Sequence, residues 1–252
     1  LIVRVKDSAG NIGWGEASSA PTMTGETAEG LVAATKFMAG RLKNKEIVSH
    51  NDLHDLIEPL MYGNHSAKSA IDSALHDLIG KHLNKPIYEL LGGKKREKSP
   101  MFWMVAGSSD EMELVRDRAA EGYIAFKVKV GVNDPKVDLE RAEKVRKIVG
   151  EKVRVSADAN QGFSLENGLI FAKGAGSAGL DFFEQPVMGH DIDSMKKCAD
   201  VCSVPLCADE GIHSIADIQK HYDAGAAMGG SLKLIKLGSS SEVMKSGELM
   251  QK

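Results

Sequence analysis

The chain has 252 residues, of which 42% are hydrophobic and 27% are charged, with a formal net charge of −3; this is ordinary for a folded protein with a full-sized core. It has no excess of basic side chains to neutralise phosphates, so we expect no nucleic-acid or anionic-membrane partner. No apolar stretch reaches the ~18 residues that span a bilayer. Its three cysteines, Cys198, Cys202 and Cys207, cannot all pair with one another, which favours a reducing, cytoplasmic location.

The first part of the chain predicts a strand hairpin followed by helices. Residues 1–6 and 12–16 alternate apolar and polar side chains around a turn, and residues 17–25 form a Ser/Pro/Thr/Gly loop. We predict helices over residues 26–42, 51–62 and 66–83. The last of these is predicted to be capped by Ser66, and its apolar stripe consists of Ala70, Ile71, Ala74, Leu75, Leu78 and Ile79. Residues 1–98 are therefore predicted to be an α+β capping domain.

From residue 99 the pattern changes to six strand–helix units of roughly 25 residues each. The predicted strands are residues 101–106, 125–130, 153–157, 180–183, 205–208 and 231–235. The helices that follow them are predicted at residues 109–121, 135–149, 165–174, 191–202 and 214–224, with a last one starting near Ser241. Such alternation requires a parallel sheet with helical crossovers. The secondary structure alone leaves open a doubly wound sheet or a barrel over residues 99–252.

Charged residues stand where several of these apolar strands stop. In chain order they are Lys127 and Lys129, then Asp158, Glu184, Asp209 and Lys233. The steps from Lys129 onward are 29, 26, 25 and 24 positions, close to one unit each. In a parallel barrel these strand ends gather at one mouth, where active sites are built. Lys127 and Lys129, two apart on a strand, should project together.

Three carboxylates brought together repel one another unless a cation neutralises them. Asp158, Glu184 and Asp209 offer hard oxygen ligands without His or Cys, which suits Mg²⁺, with Mn²⁺ as the alternative. A single acid at a strand end often only caps a helix. Three in successive units, flanked by lysines, indicate a site.

These motifs resemble the muconate-lactonising subgroup of the enolase superfamily, within the mandelate racemase/muconate lactonizing enzyme family. The resemblance covers nearly the whole chain, and it is carried by the site motifs together with Gly13-Trp14-Gly15-Glu16, Ala74-Leu75-His76-Asp77-Leu78 and Leu90-Leu91-Gly92-Gly93. It implies a (β/α)8-type TIM barrel behind an α+β cap. It also implies that Asp158, Glu184 and Asp209 bind Mg²⁺ and that Lys129 and Lys233 are the acid/base pair, with Lys127 beside Lys129.

Such enzymes remove a proton α to a substrate carboxylate and form a metal-stabilised enediolate, a use of lysine and Mg²⁺ that is known for the superfamily. Lys127 would lower the pKa of Lys129 by placing a second ammonium beside it. The substrate is expected to be a small carboxylate, and the protein a homo-oligomer. A racemase or epimerase acting on an amino-acid derivative or dipeptide, a cycloisomerase and a dehydratase all share this chemistry. A Schiff-base aldolase, which would have no use for three acids, and an inactive binding barrel are the alternatives from other classes.

Three further residues have two explanations each. Asn160 either supports the site or forms a turn, Glu210 either orients a lysine or caps a helix, and Lys236 either matches a basic position of the subgroup or is solvated. Gly238-Ser239 stands where the subgroup often has Gly-Gly. We expect the sequence to be a piece of a longer chain that lacks the first cap strand, barrel strands seven and eight and most of what selects the substrate.

Overall fold

The computed structural model of the protein describes residues 1–47 and 49–251. These residues form two compact units. The first contains Leu1–Glu97, His213–Ile215 and the residues from Leu232 onward, and the second contains Lys98–Ile212 and Ala216–Ser231. The division that the sequence predicted, a capping domain over residues 1–98 and a barrel domain over residues 99–252, remains a prediction. Across the described ranges, none of the helices combines the length and apolar character needed to cross a membrane.

The first unit begins with the predicted hairpin. Strands β1 (Ile2–Lys6) and β2 (Ile12–Glu16) pair antiparallel, with Lys6 opposite Ile12. The side chain of Asp7 accepts hydrogen bonds from the backbone and side-chain nitrogens of Asn11 at 2.8 and 2.7 Å, which closes the turn. The pairing confirms the hairpin prediction. The turn forms between Asp7 and Asn11 because short polar side chains such as those of Asp and Asn favour turns.

The hairpin packs directly on the long helix α3 (His65–Leu83). A Cβ atom at Gly15 would overlap the carbonyl oxygen of Ala70 and lie 2.6 Å from the nitrogen of Ala74. Only glycine leaves room for this backbone-to-backbone approach. The glycines of the Gly13-Trp14-Gly15-Glu16 motif are therefore packing residues of this unit.

One helix prediction in this unit was wrong in detail, and one short helix was missed. Helix α1 (Ala28–Leu42) is as expected, but residues 51–62 form a 3₁₀ turn His50–Asp52, the short helix α2 (Leu53–Ile57) and a second 3₁₀ turn Glu58–Leu60. Pro59 interrupts the helix because proline lacks an N–H and its ring clashes with the preceding turn. The four-residue helix α4 (Ile87–Leu90) was not predicted.

The sequence predicted that Ser66 caps α3, and this prediction is wrong. The N-cap is Asn64, in a left-handed conformation and without a side-chain cap bond. The carboxylate of Glu26 instead accepts hydrogen bonds from the backbone nitrogens of Ser66 and Ala67 at 3.0 and 3.3 Å. A carboxylate 40 positions away satisfies the free N–H groups of the first turn, which local sequence does not show.

The second unit is built on six parallel strands. They are β3 (Trp103–Val105), β4 (Ala125–Lys129), β5 (Arg154–Asp158), β6 (Phe182–Glu184), β7 (Leu206–Ala208) and β8 (Gly229–Gly230). The helices between them are α5 (Glu111–Ala120), α6 (Pro135–Val149), α7 (Leu165–Gly174), α8 (Ile192–Val201) and α9 (Ile215–Asp223). The strand order is sequential from β3 to β8. A doubly wound sheet reverses its order at a switch point, so the sequential order supports the (β/α) barrel.

The predicted strand at residues 231–235 is wrong. Strand β8 ends at Gly230, which is the register partner of Ala208, the last residue of β7. A strand does not continue where its neighbour offers no further partner for its backbone groups. The chain forms the short helix α10 (Leu234–Leu237) and then α11 (Ser240–Leu249). In the first unit, α10 packs against α3, where Ser66 Oγ donates to the carbonyl oxygen of Ile235 at 3.3 Å.

Candidate functional site

The carboxyl ends of the parallel strands bring five of the predicted charged residues together in the second unit, and Lys127 on β4 is one of them. Lys129 on β4 is the register partner of Asp158 on β5, which is in turn the partner of Glu184 on β6. Asp209 follows directly after β7. The three acids are buried, with 2%, 1% and 0% of their surface exposed. Buried carboxylates require compensation by a cation or by hydrogen bonds.

Lysine side chains supply that compensation in this structure. Lys127 Nζ lies 2.6 Å from Glu184 Oε2 and 3.6 Å from Asp158 Oδ2. Lys129 Nζ lies 2.6 Å from the same Asp158 oxygen. Both lysines therefore reach one carboxylate, and the prediction that they project together is confirmed.

Lys127 is held in its charged form. Burial lowers its pKa, but the negative charges of Glu184, Asp158 and Asp209 outweigh burial and raise the pKa above its ordinary value. The ammonium also lies 5.2 Å from the centre of the Phe102 ring, a favourable cation–π distance. Lys127 is thus a positive charge held beside Glu184 and Asp158, and its pKa is also raised by the charge of Asp209.

Hydrogen bonds fix the remaining oxygens of two of the acids. Ser231 Oγ donates to Glu184 Oε1 at 2.7 Å, and the backbone nitrogen of Asn160 donates to Asp158 Oδ1 at 3.0 Å. Ser231 follows β8, whereas Asn160 follows β5. Ion pairs and hydrogen bonds therefore connect the carboxyl ends of the strands from β4 to β8.

Asn160 connects Lys129 with Glu210. Its Oδ1 accepts a hydrogen bond from Lys129 Nζ, and its Nδ2 donates to Glu210 Oε1 at 2.9 Å. Its φ is +43°, so it also forms a left-handed turn, which is one of the two explanations that the sequence offered. Burial raises the pKa of Glu210, and the charges of Asp209 and Asp158 add to the rise, although the Asn160 hydrogen bond opposes it. Glu210 Oε2 is buried and has no hydrogen-bond partner among the described residues.

The other two predicted lysines belong to the first unit. Lys233 precedes α10, and its Nζ lies 3.8 Å from Met23 Sδ on the loop of residues 17–25. Lys236 lies within α10 and is fully buried, so the suggestion that it is solvated was wrong. Its carbonyl oxygen lies 2.6 Å from His65 Nδ1, at the start of α3.

The residues at the strand ends fit a hard divalent cation by their donor chemistry. Three carboxylates follow neighbouring strands, and Lys127 interacts with all three. Within residues 1–47 and 49–251, no group of three or more His, Cys, Asp or Glu side chains is arranged as a finished metal site. As placed, the carboxylates of Asp158 and Glu184 bind the two lysines.

Several contributors to this site were not predicted from the sequence. Ser231 and Phe102 contact the acid–lysine cluster, and Gln185 bonds to the backbone of Asp209. Burial, with the charge of Glu184 beside it, raises the pKa of the Cys207 thiol to about 12. The three cysteines are free thiols. A signal for Ser231 and Gln185 existed, because both stand directly beside a strand end.

Comparisons with known proteins agree with this geometry. Residues 1–92 match the family described as mandelate racemase / muconate lactonizing enzyme, N-terminal domain, and residues 110–252 match the enolase C-terminal domain-like family. The N-succinyl-L-Arg/Lys racemase of Bacillus cereus is 33% identical over 249 residues, which are 97% of this chain and 67% of the relative. The chloromuconate cycloisomerase of Pseudomonas putida is 32% identical over 253 residues, with the same two shares.

A solved structure shows the same fold. The dipeptide epimerase from Cytophaga hutchinsonii, complexed with Mg and the dipeptide D-Ala-L-Val, superposes with a TM-score of 0.88 at 27% identity and covers 99% of this chain and 68% of its own. The match of both family domains, the identity to the relatives and the shared barrel fold lead to one conclusion. The chain belongs to the mandelate racemase / muconate lactonizing enzyme family of the enolase superfamily, and it is an enzyme of the isomerase kind that its relatives represent.

Proposed function

We propose that the protein is a Mg²⁺-dependent racemase or epimerase that removes the proton α to the carboxylate of an N-acylated amino acid or a dipeptide. The observation that carries the proposal is the cluster of Lys127 and Lys129 with the buried acids Asp158 and Glu184 at the ends of successive parallel strands. The N-succinyl amino-acid racemase and the dipeptide epimerase among the relatives support this substrate class.

Asp158, Glu184 and Asp209 are the proposed cation ligands. Carboxylate oxygens from three neighbouring strands suit Mg²⁺, and Mn²⁺ would be accepted by the same donors. When bound, the cation stabilises the negative charge that develops on the substrate carboxylate as its α-proton leaves. Ser231 and the backbone of Asn160 orient two of these acids through the hydrogen bonds described above.

Lys129 is the proposed acid/base group on one face of the substrate. Its side chain is 28% exposed, against 13% for Lys127, so Lys129 is the more accessible of the two. Lys129 must leave Asp158 to reach a substrate proton. Asn160, held by Glu210, accepts a hydrogen bond from the same ammonium and would keep that bond when Asp158 is released. The partly buried Lys127 keeps its charge and lies beside Lys129, where it would disfavour a second charge.

Lys233 is the proposed acid/base group on the opposite face. It stands two positions after Ser231, whose hydroxyl bonds Glu184, and the family resemblance assigns this lysine the same role. By that resemblance, each of the two lysines would act on one face of the substrate.

The test is α-proton exchange followed by NMR. The Mg²⁺-loaded protein is incubated in D₂O with both enantiomers of N-succinyl amino acids and with dipeptides. The protein should incorporate α-deuterium into both enantiomers of its substrate. Lys129→Ala and Lys233→Ala should each lose exchange of one enantiomer, by the ~10²–10⁴-fold typical of general acid–base catalysis, and should keep exchange of the other. Full exchange of both enantiomers by Lys233→Ala would contradict the two-lysine assignment.

A cycloisomerase is the second candidate, favoured by the similarity to the chloromuconate cycloisomerase. Muconates added to the same assay would reveal it through formation of a lactone. A dehydratase would instead release water and form a keto acid. A Schiff-base aldolase would be trapped on a lysine by borohydride in the presence of its substrate, and we expect no such adduct.

A further inference from the structure

Gln185 is a fully buried polar residue directly after Glu184. Its exposed fraction is 0%, and its φ is +39°, in the left-handed region that residues other than glycine rarely adopt. Its backbone nitrogen donates to the carbonyl oxygen of Cys207 at 2.9 Å, and its carbonyl oxygen accepts from the backbone nitrogen of Gln161 at 2.9 Å. A strained backbone of this kind persists only where the surrounding structure holds it.

The carboxamide of Gln185 has partners for both of its ends. Oε1 accepts from the backbone nitrogen of Asp209 at 2.8 Å and from that of Gly211 at 3.2 Å. Nε2 donates to the carbonyl oxygen of Val187 at 2.9 Å and to Met195 Sδ at 3.5 Å. The two acceptor positions and the two donor hydrogens are all used, so the side chain has one defined orientation.

This side chain continues the connection between two strands beyond their paired residues. The register of β6 and β7 ends at Glu184 and Cys207, whereas Asp209 stands two residues further along. The Gln185 carboxamide bonds the nitrogen of Asp209 itself. Glu184 is thus linked to Asp209 through the backbone of one residue and one side-chain hydrogen bond.

We propose that Gln185 is a positioning residue that sets the distance between the Glu184 and Asp209 carboxylates and thereby the affinity of the site for a divalent cation. The inference rests on the proposed ligand role of those two acids. Groups that orient metal ligands without touching the metal affect affinity strongly. Gln185 contributes through the backbone of Asp209, and it contributes no atom to the cation.

Gln161 provides a matched control. It also has a positive φ, of 69°, and its Oε1 accepts from a loop nitrogen, that of Gly189, at 2.8 Å. The hydrogen bond between Gln161 and Gly189 does not involve the backbone of Asp209. Replacing Gln161 therefore removes a similar loop contact without freeing Asp209.

The experiment measures Mn²⁺ binding by electron paramagnetic resonance and thermal unfolding by circular dichroism. Gln185→Met has similar length but lacks the acceptor. Gln185→Asn keeps the amide and favours a left-handed backbone, but it is one methylene too short to reach Asp209, so it tests the idea even if Gln185→Met does not fold. Both should weaken Mn²⁺ binding by about 10- to 100-fold, whereas Gln161→Met should stay within about threefold of the unmodified protein.

The variant Asp209→Asn distinguishes the ligand role of Asp209 from the positioning role of Gln185. Loss of Mn²⁺ affinity in Asp209→Asn, with unchanged affinity in the folded Gln185 variants, would overturn the positioning role and leave the proposed function in place. An equal loss in Gln161→Met would also overturn it, because any loosened loop would then suffice. Unchanged affinity in Asp209→Asn would refute the proposed ligand set, and the positioning role with it.

Discussion

Lys127→Met tests whether lysine charge compensates the buried acids when no cation is bound. Lys127 Nζ lies 2.6 Å from Glu184 and 3.6 Å from Asp158, and the lysine side chain is only 13% exposed. Removing one partner of a buried ion pair leaves an uncompensated charge and costs about 3–5 kcal/mol. For a chain of this length, each kcal/mol shifts Tm by about 2–4 °C, so Tm in EDTA should fall by about 6–20 °C.

Lys147→Met is the matched control in the same unfolding assay. Lys147 Nζ also lies 2.6 Å from a carboxylate, that of Glu143, but the two side chains are 69% and 47% exposed. Exposed pairs contribute about 0–1 kcal/mol, so this variant should unfold nearly as the unmodified protein does. Added Mg²⁺ should restore most of the stability lost in Lys127→Met, because the same acids would then bind the cation. Equal Tm values for the two variants in EDTA would refute the charge-compensation argument.

Two further predictions concern stability in the first unit. Burial lowers the pKa of His76, but the hydrogen bond and charge of Asp72 outweigh burial and raise it. The protonated ring should therefore add stability below pH ~6.5 that is lost as pH rises through the raised native pKa. In His76→Gln, the free energy of unfolding measured with urea should depend less on pH over that range. The same pH dependence as in the unmodified protein would contradict this prediction. Gly15→Ala should cost about 1–3 kcal/mol because its Cβ would overlap the backbone of α3. Gly40→Ala, with nothing within 4 Å of the new Cβ, should gain up to about 1 kcal/mol; equal urea midpoints would contradict the packing argument.

The strand ends could be predicted because each combines an apolar run with a following charge. The run Phe126-Lys127-Val128-Lys129 alternates buried and partly buried side chains in the structure, which is the period of a strand. Asp158 and Glu184 end their strands as predicted. Local pattern and parallel topology together were sufficient to bring these residues to one edge.

The features that the sequence did not reveal depend on contacts between distant segments. Glu26 caps α3 across 40 positions. Residues 231–235 have an apolar pattern that suits a strand, yet β7 offers no partner beyond Ala208, and α3 binds the resulting short helix. Gln185 was visible as part of a motif, but its hydrogen bond to Asp209 required the register of β6 and β7. Periodicity reports which face of an element is buried, and it does not report the partner that covers it.

The most direct test of the central claim is a crystal structure of the protein grown with Mg²⁺. We predict one ion with carboxylate oxygens of Asp158, Glu184 and Asp209 at about 2.0–2.1 Å, and Lys127 Nζ displaced from its 2.6 Å contact with Glu184. An ion bound at another place, or a saturating Mg²⁺ concentration that leaves Lys127 against Glu184 and the three acids without a metal, would contradict the account.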